Sequence, residues 1–436
     1  MSERMPVEFF LEFYRSSKKL VLNRGFLIQY GVSLGSGFAG FLGLAMLGRV
    51  LPSEGMYSAV AAILATFSTY FVFFDLGYGS ELMRDLNTAP AAQRQQAVSQ
   101  GFLSLLYLRL FIGLLVIPLS LVQGYASGGD REHMAGFGLF SLSFLFLAFF
   151  STLDTVYFAE AKPDRAVSTK LLRLTASLML PVVVSFWRTL SLSGLFLVYF
   201  AILSILSAAA FFLNRHTIRK LFHVGWLPKP QPFQSFVVRC MKSAATPSLS
   251  MLGAFLIQTA LYRGEGLESL STYVAGISLI SPVATMMQTL SSLIQRDLSL
   301  SVASDLKVAK VQVYRTSSLI ALAGFMGVLS VIALYKIGIV NYFLKHIDDT
   351  FITIFALLGL QVTSANIYTQ FFNALQFRKR YRLLFKAGLL LNVLLVPLVA
   401  YVSLKEGIMG SLYSVSLLSL VTLFVYFGLF RRDLAE

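Results

Sequence analysis

Cysteine is almost missing from this chain: one residue, Cys240, in 436. A single cysteine closes no internal disulfide, and nothing around it resembles a thiolate metal site. Histidine is nearly as scarce. His133, His216, His223 and His346 all fall in expected loops, and no two have ligand spacing on a helix. That pattern argues against zinc chemistry and against a catalytic histidine held in a membrane, and no cofactor is expected. Charge is short as well. Charged residues make up 13% of the chain and hydrophobic ones 56%, whereas a soluble domain carries roughly 25% charged residues. Too few charges remain to cover a water-facing surface, so lipid must face much of the chain. A G-x-x-x-x-G-K-[ST] loop for ATP is absent, and so is a small-residue cleavage site after the first apolar run.

What is present is a succession of long apolar runs. A bilayer crossing needs about 20 predominantly apolar residues. Helices are expected at 26–48, 57–79, 99–122, 134–158, 169–188, 193–213, 245–262, 271–294, 314–335, 351–375, 383–403 and 408–430. The fold class expected is therefore all-α and integral to the membrane, with about twelve spans. With the N-terminus assigned to the cytoplasm, 28 of the 36 Lys and Arg fall in cytoplasmic segments and seven on the other side; Arg109 is left inside a helix. Such a bias supports an even span count with both termini cytoplasmic. It also accounts for the net charge of +15 without a nucleic-acid partner. The basic stretch 214–244, with Pro228, Lys229 and Pro230, splits the chain into an N-terminal lobe (1–213) and a C-terminal lobe (245–436) of six spans each. Two such lobes would be related by an axis along the membrane normal. Residues 7–14 and 233–240 each place apolar side chains on one helical face, as short interfacial helices do.

Polar groups within spans are costly, about 2.5–3.5 kcal/mol for an ionisable one, so each needs a partner or an aqueous cavity. Arg109 lies well inside the third span. It either lines a cavity for an anionic substrate or pairs with a carboxylate on a neighbouring helix. Asp75 and Arg84 flank the end of the second span, with Glu81 and Asp85 beside them, and Asp154 and Glu160 end the fourth. These are candidates for coupling or gating, or for fixing helix ends. Gln258, Tyr262 and Arg263 sit on the seventh span. Gln361, Asn366, Gln370 and Asn373 sit on the tenth, the last three forming one stripe by their spacing of four and three. Amides of this kind pair with sugar hydroxyls or hold helices together. An enzyme is not expected. The longest outer loops are short, and Asp130, Glu132, Asp348 and Asp349 are the carboxylates they offer.

The segment Gly48-Arg49-Val50-Leu51-Pro52-Ser53-Glu54-Gly55-Met56-Tyr57, then Asp75-Leu76-Gly77-Tyr78-Gly79 ending the second span and Leu108-Arg109-Leu110 in the third, resembles the polysaccharide-transport (Wzx-type) branch of the MOP flippase superfamily. The motif likeness covers about the first 120 residues; the remainder matches in span number and linker position. The resemblance implies a MOP/MATE-like pair of lobes around a central cavity. It implies that a polyprenyl-diphosphate-linked oligosaccharide, an O-antigen or exopolysaccharide repeat unit, moves from the cytoplasmic to the periplasmic leaflet of a bacterial inner membrane. On that view Arg109 and Arg263 meet the diphosphate and the tenth-span amides meet the sugars. An ion gradient supplies the energy, and the partners are membrane lipids and the polysaccharide polymerase and chain-length machinery. Two alternatives stand: a multidrug or cation antiporter of the same superfamily, and a membrane glycan polymerase or ligase.

Overall fold

The computed structural model describes residues 24–51, 53, 56–57, 59–60, 63–64, 78–128, 131–160, 162, 164–187, 190–223, 225–338 and 351–433; within helices, the side chains at 24–26, 88, 91, 126–128, 243–275, 293, 296, 303 and 351 are outside the description. Asp75 and the expected helix at 7–14 lie outside the described residues. Among them every regular element is helical: α1 (Arg24–Val50), α2 (Tyr78–Thr88), α3 (Arg94–Gly128), α4 (Arg131–Ala159), α5 (Ser168–Phe186), α6 (Leu192–Leu221), α7 (Pro230–Ser304), α8 (Leu306–Lys336), α9 (Phe351–Phe377) and α10 (Tyr381–Asp433), with one 3₁₀ turn before α3.

Among the described residues nine stretches are long and apolar enough to cross a bilayer, and the chain is a multi-pass membrane protein. The longest elements contain reversals. At 1.5 Å per residue the 53 residues of α10 would run about 80 Å, far beyond a hydrocarbon core of ~30 Å. Gly407 interrupts it at φ 61° and ψ −146°, a backbone region that a Cβ disfavours. Asp433 at the end of α10 pairs with Arg378 and Arg380 just before its start, the second at 2.5 Å. The element therefore crosses and returns. α7 does the same over 75 residues: Arg239 near its start pairs with Glu81 and Asp85, and Ser299 near its end accepts from Asn87, all three partners on α2.

The stretch expected as linker is shorter than its composition suggests. α6 continues to Leu221 and α7 begins at Pro230. Arg219 and Lys220 occupy the last turn of α6, where cations complement the exposed carbonyls, so a charged segment extends the helix out of the apolar layer. The apolar face at 233–240 packs inward: Phe236 and Cys240 are buried in the core of the first half of the chain.

That first core joins α2, α3, α4, α5 and α6 through Leu82, Phe102, Phe144, Leu172, Phe196 and Leu203. A second is confined to residues 298–430. The third crosses between the halves, joining Phe41 and Leu44 of α1 to Leu279, Ile280 and Val283 of α7. Small residues make this crossing close. A Cβ on Gly37 would stand 2.6 Å from the Pro282 Cα of α7; within the first half, one on Gly43 would collide with the Ser177 carbonyl of α5. On the outside, α8 shows Leu322, Phe325, Met326 and Leu329 exposed, an apolar face suited to acyl chains.

Candidate functional site

The polar groups gather in two places along the seam between the halves. One lies at the end of the bundle that carries the basic turns. Here α2, a short helix with one polar face, presents Glu81 and Arg84, both buried. Arg84 Nη2 pairs with Glu81 Oε2 at 2.7 Å, one turn away, and with Asp85 Oδ1 at 3.2 Å. Arg239 adds a second cation, its Nε 3.5 Å from Glu81 Oε2 and its Nη2 against Asp85. Two carboxylates thus face two guanidiniums, all on α2 and the start of α7.

Contacts from the second half complete this cluster with uncharged groups. Gln376 donates to Glu81 Oε1 at 3.1 Å and the Tyr381 hydroxyl donates to the same oxygen at 2.7 Å. Arg84 donates in turn to the Tyr381 oxygen, and Gln295 to Ser80. Asn87 donates to Ser299 at 2.5 Å. The charge pairs thus sit between α2 and the start of α7, while α9, α10 and the end of α7 contribute neutral donors and acceptors.

The other place is centred on Lys170, in the first turn of α5. Its Nζ donates to Ser33 of α1 and to Thr289 of α7, the latter at 3.1 Å. Both hydroxyls spend their own protons on helix carbonyls, Ser33 on Gln29 at 2.6 Å and Thr289 on Thr285 at 2.7 Å. Each therefore offers only lone pairs to the ammonium. An ammonium has three donors, and among the described residues no carboxylate stands within ion-pair distance of Lys170. Asp154, whose charge acts on it from further away, spends both oxygens on the backbone of the α5 first turn. A cation thus sits across the seam, held by hydroxyls from both halves. Sequence reasoning missed it: near a span boundary it counted among the cytoplasmic charges. The signal available was its place within the expected span 169–188, one turn before Arg173.

The remaining candidates are distributed as follows. Arg109, 2% exposed, lies between α3 and α4 and donates to Thr152 at 3.1 Å and Thr155 at 3.3 Å. Asp154, on the same stretch of α4, accepts from the backbone N–H groups of Ser168 at 3.1 Å and Thr169 at 2.9 Å. It satisfies the open first turn of α5, whose own N-cap residue supplies no side-chain acceptor. Glu160 pairs with Lys162 at 2.7 Å, both partly exposed; such a surface pair is worth about 0–1 kcal/mol. On α9, Asn366, Gln370 and Asn373 are all buried. Gln370 donates to Ser291 of α7 at 2.5 Å, and Asn366 to its own helix carbonyl at Val362 at 2.9 Å. Gln361 carries a buried Oε1 without a hydrogen-bond partner among the described residues. The backbone at Gln258, Tyr262 and Arg263 is helical within α7, and their side chains lie outside the description.

No family model matches the chain, and no curated protein matches it. Solved structures do. The chain is similar to the eukaryotic MATE transporter AtDTX14 (TM-score 0.68, 14% identity, 95% of each chain covered). It is similar to the MATE multidrug transporter DinF-BH (0.64, 13%, covering 93% of this chain and 94% of that one). It is also similar to a MOP superfamily transporter from Pyrococcus furiosus (0.59, 13%, covering 95% and 98%). At these identities the likeness shows the fold, that of the MATE transporters of the MOP superfamily.

Proposed function

We propose that this chain is a flippase: it carries a polyprenyl-diphosphate-linked oligosaccharide from the cytoplasmic to the periplasmic leaflet of a bacterial inner membrane by alternating access. The observation that carries this reading is Lys170, an ammonium at the seam held by two hydroxyls. Such a group suits an anionic substrate and repels a cationic drug. Lys170 is half-buried, so a phosphate contact there counts for more than in bulk water. Of the buried amides of α9, Gln370 reaches Ser291 of α7, and in this reading these amides supply partners for sugar hydroxyls. The polyprenyl tail stays in the lipid beside the seam.

The fold supports alternating access, since solved MATE relatives of this chain include inward-facing and outward-facing conformations. The Pyrococcus transporter is described in the words "reverse polarity of binding pocket suggests different function"; a pocket of altered polarity on this fold has a precedent there. In the proposed cycle the basic end is cytoplasmic. Opening it detaches Tyr381 and Gln376 from Glu81 and leaves the Glu81–Arg84–Arg239 pairs intact, so no bare charge is stranded. The cost is two or three hydrogen bonds to charged groups, each about 1.5–3 kcal/mol. In the absence of a nucleotide loop an ion gradient drives the cycle. The product passes to the polymerase and chain-length machinery.

The test is a leaflet assay. Cells lacking the protein are examined for lipid-linked oligosaccharide on each face of the inner membrane. Repeat units trapped on the cytoplasmic face, released by the intact gene, are the expected result. Repeat units that cross normally but stay unpolymerised would instead point to a polymerase or ligase. Normal distribution together with altered efflux of organic cations would point to the multidrug antiporter.

A further inference from the structure

A cavity lies on the seam, apart from Lys170. At the basic end a pocket of about 500 Å³ opens between α2 and the turns that join α7 to α8 and α9 to α10, a size typical of small-molecule sites. Arg84 and Asn87 line it from α2; Ser299, Asp305, Arg378 and Lys379 line it from the other half. The three cations outnumber the single carboxylate. Arg378 is committed to Asp433, and Asp305 spends an oxygen on the Lys307 N–H at 2.8 Å to cap α8. Lys379 is exposed and stands at φ 60°, a left-handed conformation that costs a non-glycine residue energy.

We infer that this pocket is a loading site for a diphosphate group at the basic end of the seam. The geometry gives it a consequence beyond binding. Arg84 is at once a wall of the pocket and the donor that reaches Tyr381 across the seam. A diphosphate entering the pocket competes with the Tyr381 hydroxyl for that guanidinium, and planar guanidiniums favour bidentate phosphate contacts. Occupation therefore loosens the contacts that hold α2 to α10 and opens the way toward Lys170. The choice of a diphosphate rests on the function proposed above. The pocket, its charges and its hold on the seam do not.

The full chain is reconstituted in phosphatidylcholine nanodiscs, and binding of radiolabelled inorganic pyrophosphate is measured. Saturable binding is expected. Lys379→Gly keeps the backbone conformation, and in fact relaxes it; it should weaken binding about tenfold, a loss of ~1.4 kcal/mol. Asp305→Asn still caps α8 and should tighten binding. Polyprenyl diphosphate added to the nanodiscs separates the sources. Displacement of pyrophosphate assigns the site to the lipid headgroup; failure to displace assigns it to a soluble phosphate compound, and either supports a diphosphate site. Absence of saturable binding, or binding unchanged in both variants, overturns it. A protein that passes the leaflet assay yet binds no pyrophosphate loses this site and keeps its function.

Discussion

Arg109, buried, and Lys170, half-buried, are two cations in the same half of the chain, and each donates to a pair of hydroxyls. Their addresses differ. The hydroxyls that Arg109 meets, on Thr152 and Thr155, lie on one neighbouring helix. The partners of Lys170 lie on α1 and α7, on opposite sides of the seam. When the halves part, Arg109 keeps both hydroxyls and Lys170 loses Thr289. The comparison teaches that the depth of a charge in a membrane protein says less about its role than which bodies its partners belong to.

Substitutions separate the two. The largest effect on stability should come from Arg109→Ala, which empties a fully enclosed site; the cavity alone costs on the order of 3 kcal/mol. Thermal unfolding in detergent should show a clear fall in midpoint and a reduced yield of folded protein. If that variant keeps its melting temperature yet stops transport, Arg109 belongs to the path and the comparison fails. Lys170→Gln should do the reverse. It keeps a donor for Ser33 and Thr289, leaves the melting temperature nearly unchanged, and lowers transport at least tenfold, the worth of a charge-assisted contact of about 1.5–3 kcal/mol.

The cluster at the basic end sharpens the contrast. Glu81→Gln removes the charge that balances Arg84 and Arg239. Breaking a buried pair by removing one partner costs about 3–5 kcal/mol, and since these pairs join α2 to the start of α7, the loss falls on the packing of those two segments. Labelling of Cys240, buried beside them, by N-ethylmaleimide should rise several-fold in that variant. Unchanged labelling would mean the cluster does not hold the start of α7 against α2. The smallest effect is expected at Asp154→Asn, which keeps one acceptor for the first turn of α5. About 1 kcal/mol of stability is at stake, the usual worth of a helix cap, with transport unaltered.

Most of the helices were legible because a bilayer demands long apolar runs. The buried stripe of Asn366, Gln370 and Asn373 was legible because its spacing is that of a helix face. The seam was not. Glu81 meets Gln376 and Tyr381 about 300 positions further along the chain, and no local pattern encodes a contact of that range. The cap that Asp154 gives α5 crosses a turn, so sequence shows a carboxylate near a helix end without showing which helix end it serves. Lys170 was hidden by a rule that is right on average: basic residues near span ends are cytoplasmic. The resemblance in the first 120 residues pointed to the superfamily whose fold the chain has, while the substrate it implies rests on chemistry at the seam.

The most direct test of the central claim compares Lys170→Arg and Lys170→Gln in cells otherwise lacking the protein, reading lipid-linked oligosaccharide on each face of the inner membrane. The account predicts that arginine restores most of the crossing and that glutamine leaves repeat units on the cytoplasmic face, at equal protein levels. Equal crossing by both variants would contradict it, because the charge at the seam would then have no part in moving the substrate.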